Sequence, residues 1–107
     1  MKFQIDNIQD NPATLLRRAG YTFQYEKDGE MSFVRPLASA GYPRFHLYAR
    51  VDKTNLLISF HLYQKAHTYG EDTRHHGEYE NEGALKQEAD HLKKVLTPIV
   101  TNQDFSY

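Results

Sequence analysis

Apolar and polar positions change period along the chain, and each change marks an element. Residues 12–19 carry Leu15, Leu16 and Ala19 at helical spacing, after Asn11-Pro12 and before Gly20. Asn11 caps the orphan N–H groups of a helix start, and Pro12 at the first position has no N–H to satisfy. Gly20 suits the left-handed residue that closes a helix. From Tyr21 to Glu26 aromatic and polar residues alternate with period two, which predicts a half-buried strand. Its partner ends near Pro36, giving a hairpin over 21–35. The spacing predicts a three-residue loop, Lys27-Asp28-Gly29, with a glycine bulge that sets Tyr25 opposite Met31 and Phe23 opposite Phe33. A two-residue Asp28-Gly29 turn would put Tyr25 opposite Ser32 and split the aromatic face.

Residues 37–43 read as a connecting loop, and 44–63 as a second hairpin. Phe45, Leu47, Ala49 and Val51 alternate with Arg44, His46, Tyr48 and Arg50, and Leu56, Ile58, Phe60 and Leu62 continue the apolar set. Opposed residues must share a face, so the numbers of each pair must sum to an odd value. A turn at Lys53-Thr54 makes the sum 107. His46 then lies opposite His61, Tyr48 opposite Ser59, Arg44 opposite Tyr63 and Arg50 opposite Leu57.

Residues 64–80 are polar and rich in Gly and His, too long for an ordinary connection and of the length that carries function or disorder. Leu85, Ala89, Leu92 and Leu96 then recur at helical spacing over 82–97, ahead of Pro98, with Glu82, Glu88 and Asp90 on the expected solvent face. The tail to Tyr107 is expected to fray. Helix, two hairpins, long loop and helix predict a single α+β domain over 1–107. Its antiparallel sheet has about four strands, with both helices packed on one face and the other face open.

Composition narrows the classes. The chain has 107 residues, a net charge of −1, no Cys and six His. Absence of Cys removes disulfide scaffolds, thiolate metal sites and Cys nucleophiles, and fits a cytoplasmic protein. No apolar run of ~18 residues exists to span a membrane, and the N-terminal residues lack the apolar core of a secretory signal. Charge is uneven: residues 1–65 hold 9 basic and 6 acidic groups, while 66–107 hold 4 and 8. Weak overall charge argues against non-specific nucleic-acid binding, although a local basic patch remains open.

Candidate chemistry gathers on the open face and the long loop. Arg44, His46, Tyr48, Arg50, His61 and Tyr63, with Lys65, His75 and Glu78 from the loop, form a candidate ligand-binding set. Arg44, Arg50 and Lys65 would hold an anionic group, while Tyr48 and Tyr63 would pack or stack, as on nucleic-acid platforms. Facing residues on adjacent strands have Cβ atoms ~5 Å apart, so His46 and His61 can share one ion. A third ligand would come from His67, His75, His76 or Glu78, the three-ligand pattern of catalytic zinc. A neutral-range acid or base makes His46, His61 and His75 the candidate catalytic residues, with Glu78 near His75 or His76. Ser59 and His61 share a face, but no carboxylate orients the pair. The bland alternatives are a solvated sheet face and satisfied histidines.

Two resemblances follow from motifs. Pro43-Arg44-Phe45-His46-Leu47-Tyr48, then His61-Leu62-Tyr63-Gln64-Lys65, then Tyr69 and His75-His76-Gly77-Glu78-Tyr79, resemble a family of small uncharacterised bacterial proteins over residues 43–90. That family implies no activity. Residues 15–23, Leu-Leu-Arg-Arg-Ala-Gly-Tyr-Thr-Phe, look like the opening helix and strand of HicA-type toxins. Those are small ribonucleases with a double-stranded-RNA-binding-like fold and a catalytic strand histidine. Their histidine follows a Gly-Ser/Thr segment on an early strand, which is missing here, as is their basic surface.

The expectation is a cytoplasmic binding module without a required cofactor, taking an anionic ligand or an RNA or protein partner. The rivals are a His-dependent ribonuclease or metal-assisted hydrolase, and a structural domain that forms homo-oligomers through the sheet face.

Overall fold

A computed structural model describes residues 1–64, 78–79 and 82–97. The elements run β1 (Lys2–Ile5), α1 (Pro12–Arg18), β2 (Thr22–Lys27), β3 (Glu30–Pro36), β4 (Arg44–Asp52), β5 (Asn55–Tyr63), β6 (Glu78–Tyr79) and α2 (Glu82–Leu96). The architecture is α+β with one antiparallel sheet in the order β1-β5-β4-β3-β2, and the two-residue β6 also pairs with β5.

The four-strand expectation falls short by β1. Its alternation, Lys2-Phe3-Gln4-Ile5, is only four residues long, and its partner lies more than fifty residues away. Lys2 pairs with Ser59 and Gln4 with Leu57, so Phe3 and Ile5 land on the core face beside Ile58 and Leu56. The long polar stretch is also interrupted, because Leu62 pairs with Tyr79 and Tyr63 with Glu78.

Local chemistry shapes α1 as expected. The Asn11 side chain accepts from the Ala13 N–H at 2.8 Å. Gly20 takes φ +97°, Tyr21 N–H bonds to the Leu16 carbonyl, and Gly20 N–H to that of Arg17. This is a Schellman closure, two orphan carbonyls satisfied by one left-handed residue. Tyr21 is expected to open β2. Instead it follows the closure and is buried at 2% exposure.

The first hairpin turns differently from the expectation. Asp28 and Gly29 both have positive φ and form a two-residue turn, with Lys27 opposite Glu30. Phe23 does face Phe33, but Tyr25 faces Ser32 rather than Met31. Both pairings hold because the bulge sits at Gln24, between Phe23 and Tyr25, not at Gly29. One extra residue on β2 moves Tyr25 to the opposite side of the sheet. The second hairpin keeps the expected register throughout, including His46 with His61.

One apolar cluster joins Leu15 and Leu16 of α1, Leu85, Ala89, Leu92 and Leu96 of α2, and the strand residues Ile5, Phe33, Phe45, Leu47, Ala49, Leu56, Ile58, Phe60 and Leu62. Val51, expected with this set, lies at the strand end and is exposed. Glu88 corrects a second expectation: it is buried, not on the solvent face of α2. Its carboxylate accepts from Arg35 Nη1 at 2.5 Å and from the Tyr21 hydroxyl at 2.7 Å. A buried carboxylate with a cation and a hydroxyl donor is satisfied, which is the condition for its burial. That burial, with Glu88 alongside, pushes the Tyr21 phenol far above its usual range. Among the described residues, no helix is long and apolar enough to cross a membrane.

Candidate functional site

The registers arrange the face opposite the core into rows that cross the strands. One row reads Tyr25, Ser32, Tyr48, Ser59, Lys2 across five strands. The next reads Lys27, Glu30, Arg50, Leu57, Gln4. On the other side of the tyrosine row come Val34, His46 and His61, then Pro36, Arg44 and Tyr63. Small serines thus alternate with large side chains within one row.

This face is a half-buried surface. Ser32 is fully buried, and His46, Tyr48, Ser59, His61 and Tyr63 are half-buried. His46 packs against Tyr48 with ring centroids 4.6 Å apart and planes tilted by 36°, and meets Tyr63 edge-on at 5.7 Å. Its Nε2 lies 2.9 Å from Ser32 Oγ, and the Ser32 hydroxyl donates to Gln24 Oε1 at 3.2 Å. A hydroxyl has one proton, so Ser32 must accept from His46, which fixes the imidazole with its proton on Nε2. Burial, then the neighbouring His61 and Arg44, holds His46 below its ordinary value of 6.5. The ring is therefore neutral near pH 7, with Nδ1 carrying the lone pair. Nε2 is committed to Ser32, and Ser32 is shielded from solvent, so this pair does not present an accessible nucleophile and base.

The candidate ligand residues do not converge. Arg44 and Arg50 stand six residues apart on one strand, about 20 Å at ~3.4 Å per residue, so one small anion cannot engage both. Arg44 stacks over the Tyr42 ring at 4.2 Å and donates from Nε to the Gly41 carbonyl, a local brace on the 37–43 loop. His46 and His61 are directly opposed as expected. Among the described residues, no three His, Asp or Glu side chains are grouped to hold a metal. Lys65, His67, His75 and His76 lie outside the described residues. Glu78 is placed by its backbone pairing with Tyr63.

What the face does form is a groove of about 430 Å³ running along β5 between β1 and β4. Ser59 and Leu57 line its floor, Tyr48 and Arg50 one wall with Glu30 behind, and Lys2 and Gln4 the other wall. Tyr48 and Arg50 were legible as candidates from the alternation of β4. Ser59 was legible on this face beside His61, and Leu57 opposite Arg50; Glu30 was missed, and so were Lys2 and Gln4, whose wall exists only once β1 docks on β5. The alternation of residues 2–5 was the available signal. The Asp28-Gly29 turn sets Tyr25 on this face opposite Ser32, and the bulge at Gln24, which no local pattern signals, lets Phe23 stay opposite Phe33.

Arg50 is exposed and donates from Nη1 to the Asp28 carbonyl at 3.2 Å, so its guanidinium rests beside the first hairpin turn while its stem lines the groove. Lys2 projects from the edge strand and is exposed. Two cations therefore flank a floor that holds a hydroxyl. No family model, curated protein or solved structure matches the chain.

Proposed function

We propose that the chain is a small non-enzymatic binding module whose open sheet face receives an anionic ligand in the groove between β1 and β4. Both helices pack on the opposite face and serve the core, leaving this face for contact. The observation that carries the reading is the placement of Lys2 and Arg50 on strands either side of the one groove that Ser59 and Leu57 also line. A half-buried floor strengthens charge–anion contacts relative to open water. Arg44, His46 and Tyr63 act in this reading as the frame that holds Tyr48 in place. Its setting is the cytoplasm, and it needs no metal.

Titration with inorganic phosphate, followed by amide NMR shifts, tests it. Shifts should concentrate at Lys2, Arg50 and Ser59, weaken as salt rises, and vanish in Lys2→Ala/Arg50→Ala. Shifts confined to other surfaces, or unchanged in that double variant, would refute the reading.

A further inference from the structure

We infer that the groove is shaped for a nucleoside 5′-monophosphate, a phosphomonoester joined to a planar ring, which rests on the anion-binding reading above. The walls belong to strands on either side of β5, so their backbones stand about 10 Å apart at ~4.8 Å per strand spacing. Lys2 and Arg50 occupy diagonal corners, one on the tyrosine row and one on the next. Long flexible stems let both charges reach over Ser59 from opposite sides, Arg50 by exchanging its bond to the Asp28 carbonyl for the bound phosphate.

A lone phosphate fills only a small part of about 430 Å³. The remaining lining is an aromatic ring, Tyr48, and an alkyl group, Leu57, which suit a flat ring by stacking and burial. His46 backs the Tyr48 ring at 4.6 Å and holds its plane. Charge sets the number of phosphates. Two cations against the Glu30 carboxylate leave one net positive charge, enough for a monoester carrying about −1.5 to −2 at pH 7 but poor for a polyphosphate. Glu30 and the Gln4 carbonyl oxygen are acceptors, and sugar hydroxyls or ring amines supply matching donors.

The probes are the four ribonucleoside 5′-monophosphates, their nucleosides, inorganic phosphate, and an eight-nucleotide RNA, titrated by NMR against the full chain. At least one monophosphate should bind tenfold or more tighter than phosphate and than its own nucleoside. Tyr48→Leu should reduce that monophosphate to the affinity of inorganic phosphate, while Tyr48→Phe, which keeps the ring, should retain the advantage. Should Tyr48→Leu fail to fold, Leu57→Ser replaces it and should cost the same advantage. Equal binding of phosphate and all monophosphates overturns the ring assignment and leaves the anion reading standing. Equal binding of nucleoside and monophosphate, or no binding of either, overturns both. An RNA that binds far tighter than any monophosphate overturns the single-nucleotide assignment in favour of a polymer.

Discussion

Replacing Glu88 by Ala is the perturbation whose cost the structure sets out most fully. Its side chain is 5% exposed and is held by two partners with different access to water. Tyr21 is 2% exposed, so its hydroxyl would lose its acceptor without reaching solvent. An unsatisfied buried hydroxyl costs about 1–3 kcal/mol. Arg35 is the milder partner: its side chain is 31% exposed and can turn toward water, so the roughly 3–5 kcal/mol for breaking a fully buried pair is an upper limit. The two contributions together put Glu88→Ala at about 3 kcal/mol. Glu88→Gln keeps an acceptor for Tyr21 and loses only charge, so it should cost about 1 kcal/mol. Urea unfolding followed by far-UV circular dichroism gives both values. A domain of this size loses about 4–8 °C of Tm per kcal/mol, so thermal melts should fall by roughly 15 °C for the Ala variant. A Glu88→Ala cost under about 1 kcal/mol, or a Gln variant as damaged as the Ala variant, would refute the assignment of Glu88 as acceptor for both partners.

Further outcomes follow from the same geometry. His46 is held below 6.5 in the folded chain, so between that lowered value and 6.5 the unfolded chain binds more protons. The His46 contribution to stability should therefore be level above pH 6.5, fall as pH drops through that window, and level off beneath it. His46→Gln should flatten the His46 part of the slope in urea titrations at a series of pH values, and an unchanged slope would exclude His46 as its source. Phe60 is fully buried, with Phe3 and Phe45 rings edge-on at 6.0 Å each, so Phe60→Ala should cost about 3–5 kcal/mol in urea unfolding. Gly20→Ala forces a side chain into φ +97° and brings its Cβ within 3.1 Å of Arg35 Nε. That should cost about 1–2 kcal/mol or more, visible as a lower urea midpoint with an unchanged slope.

The amino-acid sequence by itself determined the parts whose causes are local. Asn11, Pro12 and Gly20 sit where a short helix needs a cap, a missing N–H and a left-handed residue, so the limits of α1 were readable to within a residue. Parity of the alternation from Arg44 to Tyr63 admits few registers, and the Lys53-Thr54 turn selects the one observed. Tertiary structure decided what depends on distant partners or near-equal local choices. The Asp28-Gly29 turn and the three-residue loop differ by one residue of register. A bulge at Gln24 reconciled the shorter turn, which sets Tyr25 opposite Ser32, with Phe23 on Phe33. Glu88 is buried because Arg35 and Tyr21, 53 and 67 residues away in sequence, arrive to satisfy it. The groove has a second wall only because a four-residue strand at one end of the chain pairs with β5. Pattern along a chain records which face a side chain takes. Which distant backbone lies beside it is settled by burial and hydrogen bonding in the assembled fold.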